Sequence, residues 1–146
     1  MKKEYVSHSP AETEAIAAQI ARRAGQGDFY ALSGDLGAGK TVFVRGFVSA
    51  LAPHALVSSP SYAILNRYEE NDVVINHFDL YRITSEDDLT STGFFETIEE
   101  GITLCEWWER CADVVPVPHI RVTLTPTGDS DRLITLERIG YADTRF

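Results

Sequence analysis

The segment from residue 34 to residue 41 has the residue types and spacing that point most directly to chemistry. It reads Gly34-Asp35-Leu36-Gly37-Ala38-Gly39-Lys40-Thr41 and fits the phosphate-loop pattern G-x-x-x-x-G-K-S/T at every constrained position. Glycines let the backbone bend and approach a ligand closely, so N–H groups near Gly37 to Lys40 can point at phosphate oxygens. Lys40 would meet the β and γ phosphates of a nucleotide, and the Thr41 hydroxyl would face a magnesium ion. The alternative is a glycine-rich turn that matches by chance.

Two apolar runs of the chain end in a carboxylate. Residues 73–78 precede Asp79, and residues 102–105 precede Glu106. Phosphate-loop proteins hold magnesium or its water shell with a carboxylate in such a position, opposite the loop threonine. One of the two would ligate magnesium while the other orients or deprotonates the attacking water, and the sequence leaves open which does which. For Asp79 the structural alternative is an aspartate that caps the following turn.

The segments beside the loop predict a strand before it and a helix after it. Phe29-Tyr30-Ala31-Leu32 is an apolar run typical of a buried strand. From Lys40 to about Leu51, large apolar residues recur at a spacing of four, and Pro53 ends the pattern. Strand, glycine loop and helix are the context that a phosphate loop requires.

The rest of the chain predicts further helices and two hairpins around this unit. Ser9-Pro10-Ala11-Glu12 places serine at the N-cap and glutamate at N3, so we expect a helix from here to Ala24. A short strand at Tyr5 and Val6, hairpins within 63–79 and 118–139, and a short acidic helix from Ser85 complete the pattern. We therefore predict an α/β fold, a single P-loop NTPase-like domain over residues 1–146 with a mixed β-sheet, flanking helices and antiparallel hairpins.

Other reactive side chains have less specific interpretations. The tryptophans after the second carboxylate, Trp107 and Trp108, either belong to a core or a lid or border a nucleotide or partner pocket. The four histidines share no metal-ligand spacing, and only His77 adjoins the proposed site. Cys105 and Cys111 suit neither a C-x-x-C redox motif nor a zinc knuckle, so we expect reduced and partly buried thiols.

Composition limits the class of protein and its partners. A chain of 146 residues with 44% hydrophobic content is long enough for a single core and too short for two. No signal peptide or membrane span is apparent, so we expect a cytoplasmic protein without a membrane partner. The formal net charge of −9 argues against an autonomous nucleic-acid binder, which needs a basic surface to displace counterions from phosphates. Any role in RNA chemistry would therefore pass through a partner.

Four motifs together resemble one known family. They are the phosphate loop 34–41, Ser59-Pro60-Ser61-Tyr62, His77-Phe78-Asp79-Leu80-Tyr81-Arg82 and Glu106-Trp107. The phosphate loop alone names only a superfamily, whereas the His-Phe-Asp-Leu-Tyr-Arg block with Glu-Trp at this distance is specific. In this succession the chain resembles the bacterial TsaE/YjeE family, the ATPase subunit of tRNA threonylcarbamoyladenosine biosynthesis, from its first helix to its last hairpin.

The resemblance implies a compact phosphate-loop fold that uses ATP and Mg²⁺ and hydrolyses ATP slowly. It also implies two companion proteins, a TsaB-type subunit and a TsaD-type transferase. Together they would place threonylcarbamoyl on the adenosine beside the anticodon of tRNAs that read codons starting with A. The chain itself would reach tRNA only indirectly, through this complex.

The same resemblance implies roles for individual residues. The loop lysine, Lys40, would bind phosphate, and Thr41 and Glu106 would serve magnesium. Asp79 would be a catalytic or metal-shell residue, so the implied catalytic residues are Lys40, Asp79 and Glu106. The implied nucleotide contacts are Ser9, Asp35, Leu36, Gly37, Ala38, Gly39, Lys40, Thr41, Val42 and Arg132.

Three departures from the family pattern concern the pocket. Ser61 and Tyr62 stand where threonine and phenylalanine are usual, and the kept hydroxyl of Ser61 allows a switch-like contact to the γ-phosphate. Val42 replaces a common second hydroxyl and leaves only its backbone N–H for that contact, and Trp108 replaces a common proline. We expect these changes to affect the fine geometry of the pocket and the hydrolysis rate, but not nucleotide binding.

Two other classes of function remain open. A small-molecule kinase would need an acceptor pocket and usually a lid with several arginines, and no arginine-rich insertion is present. A nucleotide-dependent binding module would bind ATP tightly without useful catalysis. A GTPase is disfavoured because no N-K-x-D motif follows the loop.

Overall fold

A computed structural model of the chain describes residues 2–35, 37–55 and 64–141. The predicted nucleotide contact at Leu36 and the departures at Ser61 and Tyr62 lie outside these described residues. The described elements, in chain order, are β1 (Lys2–Ser7), α1 (Pro10–Ala21), β2 (Phe29–Ser33), α2 (Lys40–Leu51), β3 (Leu65–Glu70), β4 (Val73–Asp79), α3 (Glu86–Thr90), α4 (Phe94–Thr97), β5 (Ile102–Glu106), β6 (His119–Pro126) and β7 (Arg132–Ile139). A 3-10 segment, Trp108–Val114, joins β5 to β6 and is kinked at Cys111.

The described strands form one seven-stranded sheet in the order β1-β7-β6-β2-β5-β4-β3. Its four central strands, β6, β2, β5 and β4, are parallel to one another. Antiparallel strands complete both edges, β7 and β1 on one side and β3 on the other. The predicted α/β fold with a mixed sheet and antiparallel hairpins is confirmed. Because the central strands are parallel, the carboxyl ends of β2, β4 and β5 lie at the same end of the sheet, where ligands of such sheets bind.

Helices α1 and α2 cover one face of the sheet and make the larger part of the core. Phe43, Val44, Phe47 and Val48 of α2 are fully buried there, because they recur on one side of the helix. The two helices approach closely at Gly46, where an added Cβ would collide with the backbone of Glu14. This close packing fixes the position of α2 and, with it, the residues at its start.

The opposite face carries a smaller core under α3, α4 and the 3-10 segment. Phe78 of β4, Leu89 of α3 and Cys105 of β5 are fully buried in it. The ring of Phe94 makes edge contacts with Phe29 and Phe78, with centroids 6.2 and 4.9 Å apart. The sheet is therefore covered on both faces, as its parallel centre requires.

Helix α1 differs from the sequence prediction at its C-terminal end. α1 ends at Ala21 instead of Ala24, because the next residues form tighter turns, with Arg23 N–H and Ala24 N–H bonded to carbonyls three residues back. α1 and α2 each have 12 residues. Among the described residues, no helix has both the length and the apolar character that crossing a bilayer needs.

Candidate nucleotide-binding site

Strand periodicity brings the two predicted carboxylates together. Side chains alternate between the faces of a strand, and Leu104 packs in the core beneath α1 and α2 whereas Cys105 packs in the opposite core. Glu106 therefore lies on the α2 side of β5. Asp79 lies directly opposite Glu106 in the parallel pairing of β4 with β5, and on the same face. Both carboxylates thus stand at the carboxyl ends of neighbouring strands, facing the start of α2.

The glycines of the predicted phosphate loop adopt the backbone conformations that the motif needs. Gly37 and Gly39 have φ values of 81° and 101°, in the left-handed region that other residues enter only at a cost. Gly39 is the N-cap of α2 and offers no side-chain hydrogen bond to the first turn. The first N–H groups of a helix have no intrahelical acceptor, so those of α2 remain for a ligand.

Arg132 of β7 donates hydrogen bonds to backbone carbonyls of the phosphate loop. Its Nε and Nη2 donate to the carbonyls of Ala38 and Gly37, both at 3.0 Å, and its Nη1 donates to the Asp131 carbonyl at 2.8 Å. Because a trans peptide places its N–H opposite its carbonyl, the Gly39 N–H faces away from Arg132. The Gly37 and Ala38 carbonyls are therefore bonded to Arg132, the Ala38 N–H is bonded within the loop to the Asp35 carbonyl, and the Gly39 N–H points to the opposite side from Arg132.

Lys40 is a buried cation that forms no ion pair with a carboxylate of the described residues. It is only 7% exposed, and within the described part of the chain its ammonium group has no hydrogen bond or ion pair. Its Nζ lies 4.3 Å from the centroid of the Trp107 ring. Burial of an ammonium is destabilising when no close ion pair or hydrogen bond offsets its desolvation. An anionic ligand beside Lys40 would offset the free-energy cost of burying its charge.

Several predicted site residues line one pocket of about 330 Å³ around this ammonium, a size within the usual range for small-ligand sites. Its lining residues are Gly37, Gly39, Lys40, Thr41, Val42, Asp79, Glu106 and Trp107. Asp35 instead lines a neighbouring pocket that shares Lys40 and Trp107. The structure therefore brings together the loop, its lysine and both strand-end carboxylates.

The oxygen atoms at this pocket suit a hard divalent cation. Thr41, Asp79 and Glu106 supply a hydroxyl and two carboxylates, the donor types that Mg²⁺ prefers. The described residues contain no cluster of three or more His, Cys, Asp or Glu side chains able to hold a metal alone. That fits Mg²⁺, which is usually bound by one or two carboxylates together with substrate phosphates and water.

The two carboxylates have different surroundings. Glu106 is 4% exposed, and its Oε2 lies 2.5 Å from Nε2 of His77. Asp79 is less buried, and its Oδ1 accepts the Tyr81 N–H at 2.9 Å. Burial raises the pKa of the Asp79 carboxyl above its ordinary value and the Glu106 charge adds to the rise, whereas the Tyr81 N–H, His77 and Lys40 oppose it.

The two tryptophans have separate places. Trp107 has a left-handed φ of 56° and lines the pocket, with its ring against Lys40 and at 4.9 Å from the ring of Tyr81. Trp108 donates from Nε1 to the Ser33 hydroxyl at 3.0 Å and lies beside the Arg121 guanidinium. Both tryptophans pack against the smaller core, as one interpretation of the sequence had it, and Trp107 also borders the pocket.

Two of the residues implied as nucleotide contacts make hydrogen bonds within the protein. The hydroxyl of Ser9 caps α1 by accepting the Glu12 N–H at 3.1 Å, as the capping pattern predicts. The guanidinium of Arg132 is bonded to the loop carbonyls described above. That either side chain also contacts nucleotide stays a prediction. The contact between Arg132 and the loop was not foreseen, because 94 residues separate Arg132 from Ala38 and no local pattern links them.

Comparisons with known proteins agree on one family. The family model described as "Threonylcarbamoyl adenosine biosynthesis protein TsaE" matches residues 7–134. The chain is 35% identical over 133 residues to the tRNA threonylcarbamoyladenosine biosynthesis protein TsaE of Bacillus subtilis (strain 168), covering 90% of this chain and 83% of that protein. It is 31% identical over 138 residues to the protein of the same name from Rickettsia typhi (strain Wilmington), covering 94% of this chain and 96% of that protein.

A solved structure has the same fold. The crystal structure of YdiB from Bacillus subtilis superposes with a TM-score of 0.76 at 29% sequence identity, and the alignment covers 97% of this chain and 87% of YdiB. The resemblance drawn from the four sequence motifs is thus confirmed over nearly the whole chain. Together with the phosphate loop and its facing carboxylates, these matches show that the chain belongs to the TsaE family.

Proposed function

We propose that this protein binds Mg²⁺ and ATP at the pocket between the phosphate loop and the strand-end carboxylates, and hydrolyses ATP slowly. The observation that carries the proposal is the buried ammonium of Lys40, which has no ion pair within the described part of the chain and lines the same pocket as Thr41, Asp79 and Glu106. A triphosphate would supply the missing negative charge. Asp79 and Glu106 line the same pocket, where a divalent cation would offset the repulsion between their charge and that of the phosphates.

Each residue of the pocket has a distinct task in this proposal. Lys40 and the amides at the start of α2 hold the phosphate oxygens, and the left-handed glycines permit the close approach. Thr41 and Glu106 hold Mg²⁺, which when bound neutralises the charge that develops on the phosphates. Asp79, with its raised pKa, is the candidate to orient the attacking water or accept its proton.

We further propose that this ATPase is a subunit of the assembly that places threonylcarbamoyl on the adenosine beside the anticodon of tRNAs reading codons that start with A. The named relatives are tRNA threonylcarbamoyladenosine biosynthesis proteins. The partners would be a TsaD-type transferase and a TsaB-type subunit. A net charge of −9 disfavours strong binding of tRNA by this chain alone, so its partners would make that contact.

The test is mass spectrometry of tRNA nucleosides from cells depleted of this protein. Loss of threonylcarbamoyladenosine, restored by the wild-type gene and not by Lys40→Met, supports both the pathway and the use of the phosphate loop. Unchanged threonylcarbamoyladenosine in depleted cells contradicts the pathway.

A second measurement separates the proposal from other nucleotide-binding functions. Purified protein is incubated with γ-labelled ATP, with and without the partner proteins. Label released as inorganic phosphate, faster with the partners, supports the ATPase. Label transferred to an added metabolite indicates a kinase, and tight ATP binding without any turnover indicates a binding module.

A further inference from the structure

His77 lies beside Glu106 because of the register of two parallel strands. In the pairing of β4 with β5, Asp79 stands opposite Glu106 and His77 stands opposite Leu104. His77 and Asp79 are two residues apart on β4, so both face the α2 side of the sheet. His77 is therefore the diagonal neighbour of Glu106, a distance that a long side chain spans.

The contact between these side chains is buried. The side chains of His77 and Glu106 are 1% and 6% exposed, and Nε2 lies 2.5 Å from Oε2. The other ring nitrogen, Nδ1, is buried and has no hydrogen-bond partner among the described residues. A proton on Nδ1 would have no acceptor there, whereas Nε2 faces a carboxylate oxygen, so Nε2 is the nitrogen that donates to Glu106.

This bond distinguishes the two oxygens of Glu106. Oε2 is held by the imidazole, and the carboxylate is thereby fixed with Oε1 as the oxygen that remains for a cation. Glu106 is thus anchored by His77, whereas Asp79 is anchored separately by the Tyr81 N–H. The two neighbouring carboxylates are consequently held by different donors.

We propose that His77 is a positioning residue that orients Glu106 for Mg²⁺. This inference rests on the proposed function, because it concerns the cation bound with the nucleotide. Side chains that hydrogen-bond a metal ligand commonly fix its orientation, and their loss weakens metal binding by about 10- to 100-fold. His77 touches neither phosphate nor cation in this scheme and acts only through Glu106.

The test compares His77→Phe, which keeps an aromatic ring but removes the donor, with His77→Gln, whose amide nitrogen keeps a donor near the position of Nε2. Two titrations are made by calorimetry on each folded variant: ADP in the presence of EDTA, and Mg²⁺ into the ADP complex. We expect His77→Phe to weaken Mg²⁺ binding about 10- to 100-fold while ADP affinity in EDTA stays within about 2-fold. His77→Gln should recover most of the Mg²⁺ affinity.

His119 offers a matched control. It is also a buried histidine, 4% exposed, and it lies at the amino end of β6, whereas the phosphate loop follows the carboxyl end of the neighbouring parallel strand β2. His119→Phe should leave both titrations unchanged, which separates a local effect from general loosening of the sheet. If His77→Phe does not fold, His77→Asn replaces it, because its amide is too short to reach Glu106 and removes the same bond.

A double variant decides whether His77 acts through Glu106. When Glu106 is already changed to alanine, the further change His77→Phe should weaken Mg²⁺ binding by less than about 2-fold, since positioning has no remaining target. Additive losses would overturn the inference, and so would unchanged Mg²⁺ affinity in folded His77→Phe. Failure of the wild-type protein to bind ADP would instead overturn the proposed function.

Discussion

Replacement of Arg132 by methionine should loosen the phosphate loop before any nucleotide binds. The two bonds from Arg132 to the carbonyls of Ala38 and Gly37, both 3.0 Å long, are lost together. Because the guanidinium is only partly buried, each bond contributes about 1 kcal/mol, below the range for fully buried charged donors. The two loop bonds therefore account for about 2 kcal/mol of unfolding free energy. Because the bonds from Nη1 to the carbonyls of Gly128, Asp129 and Asp131 are lost as well, Tm should fall by at least roughly 6 °C in a chain of this size.

Hydrogen exchange of the nucleotide-free protein is the informative assay. The amide of Ala38 is bonded to the Asp35 carbonyl inside the loop, so it reports on loop order. In Arg132→Met we expect peptides covering this amide to exchange faster, and ATP affinity to fall about 10-fold as the loop must be ordered on binding. Arg45→Met is the control, because it removes an exposed arginine whose ion pair with Glu14 contributes about 1 kcal/mol at most.

If Arg132→Met reduces ATP affinity but leaves both Tm and the exchange of the nucleotide-free loop unchanged, Arg132 contacts the nucleotide directly. The implied role from the family resemblance would then hold, and the role as a support of the loop would not.

Three further predictions follow from particular contacts. Glu106→Ala should retain ADP binding in EDTA but lose Mg²⁺-dependent hydrolysis, measured by phosphate release beside the partner proteins; normal turnover would move the metal role elsewhere. Gly46→Ala should lower the unfolding free energy by about 1–3 kcal/mol, because its Cβ would collide with the backbone of Glu14. A denaturant titration that detects no loss would show that α1 can move away from α2 without a cost in free energy. Burial lowers the pKa of His119 below its ordinary value of 6.5, so its contribution to stability is present above pH 6.5 and is lost as the pH falls through the folded-state pKa. Tm measured between pH 7 and pH 5 should therefore fall less in His119→Gln than in the wild type, and equal slopes would contradict the assignment.

The sequence predicted the parts of the fold that local patterns determine. The strand before the loop, the loop and α2 were predicted because apolar spacing, glycines and Pro53 act within one segment. The same holds for Ser9 at the start of α1, whose hydroxyl bonds to an amide three residues away. A repeated pattern, a carboxylate at the end of an apolar run, predicted that Asp79 and Glu106 serve the same site, whereas their positions opposite each other on neighbouring strands were not predicted.

The parts that were missed depend on contacts between distant residues. Helix α4 and the 3-10 segment are short, and the packing of Phe94 and its neighbours in the smaller core holds them in place. The bond from Arg132 to the loop joins β7 to the residues just before α2, and no sequence pattern near either segment predicts it. His77 did carry a signal, since it precedes Asp79 by two residues and must share its face, but its partner Glu106 lies on another strand.

The most direct test of the central claim is the ATP affinity of Lys40→Met, measured by calorimetry against Lys2→Met, which removes the same charge from an exposed position on the edge strand. The loss of a buried cation that faces an anion weakens binding by about 2–5 kcal/mol, so we predict a drop of at least about 30-fold for Lys40→Met and no change for Lys2→Met. A folded Lys40→Met protein that binds ATP as tightly as the wild type would contradict the claim that this loop holds the phosphates.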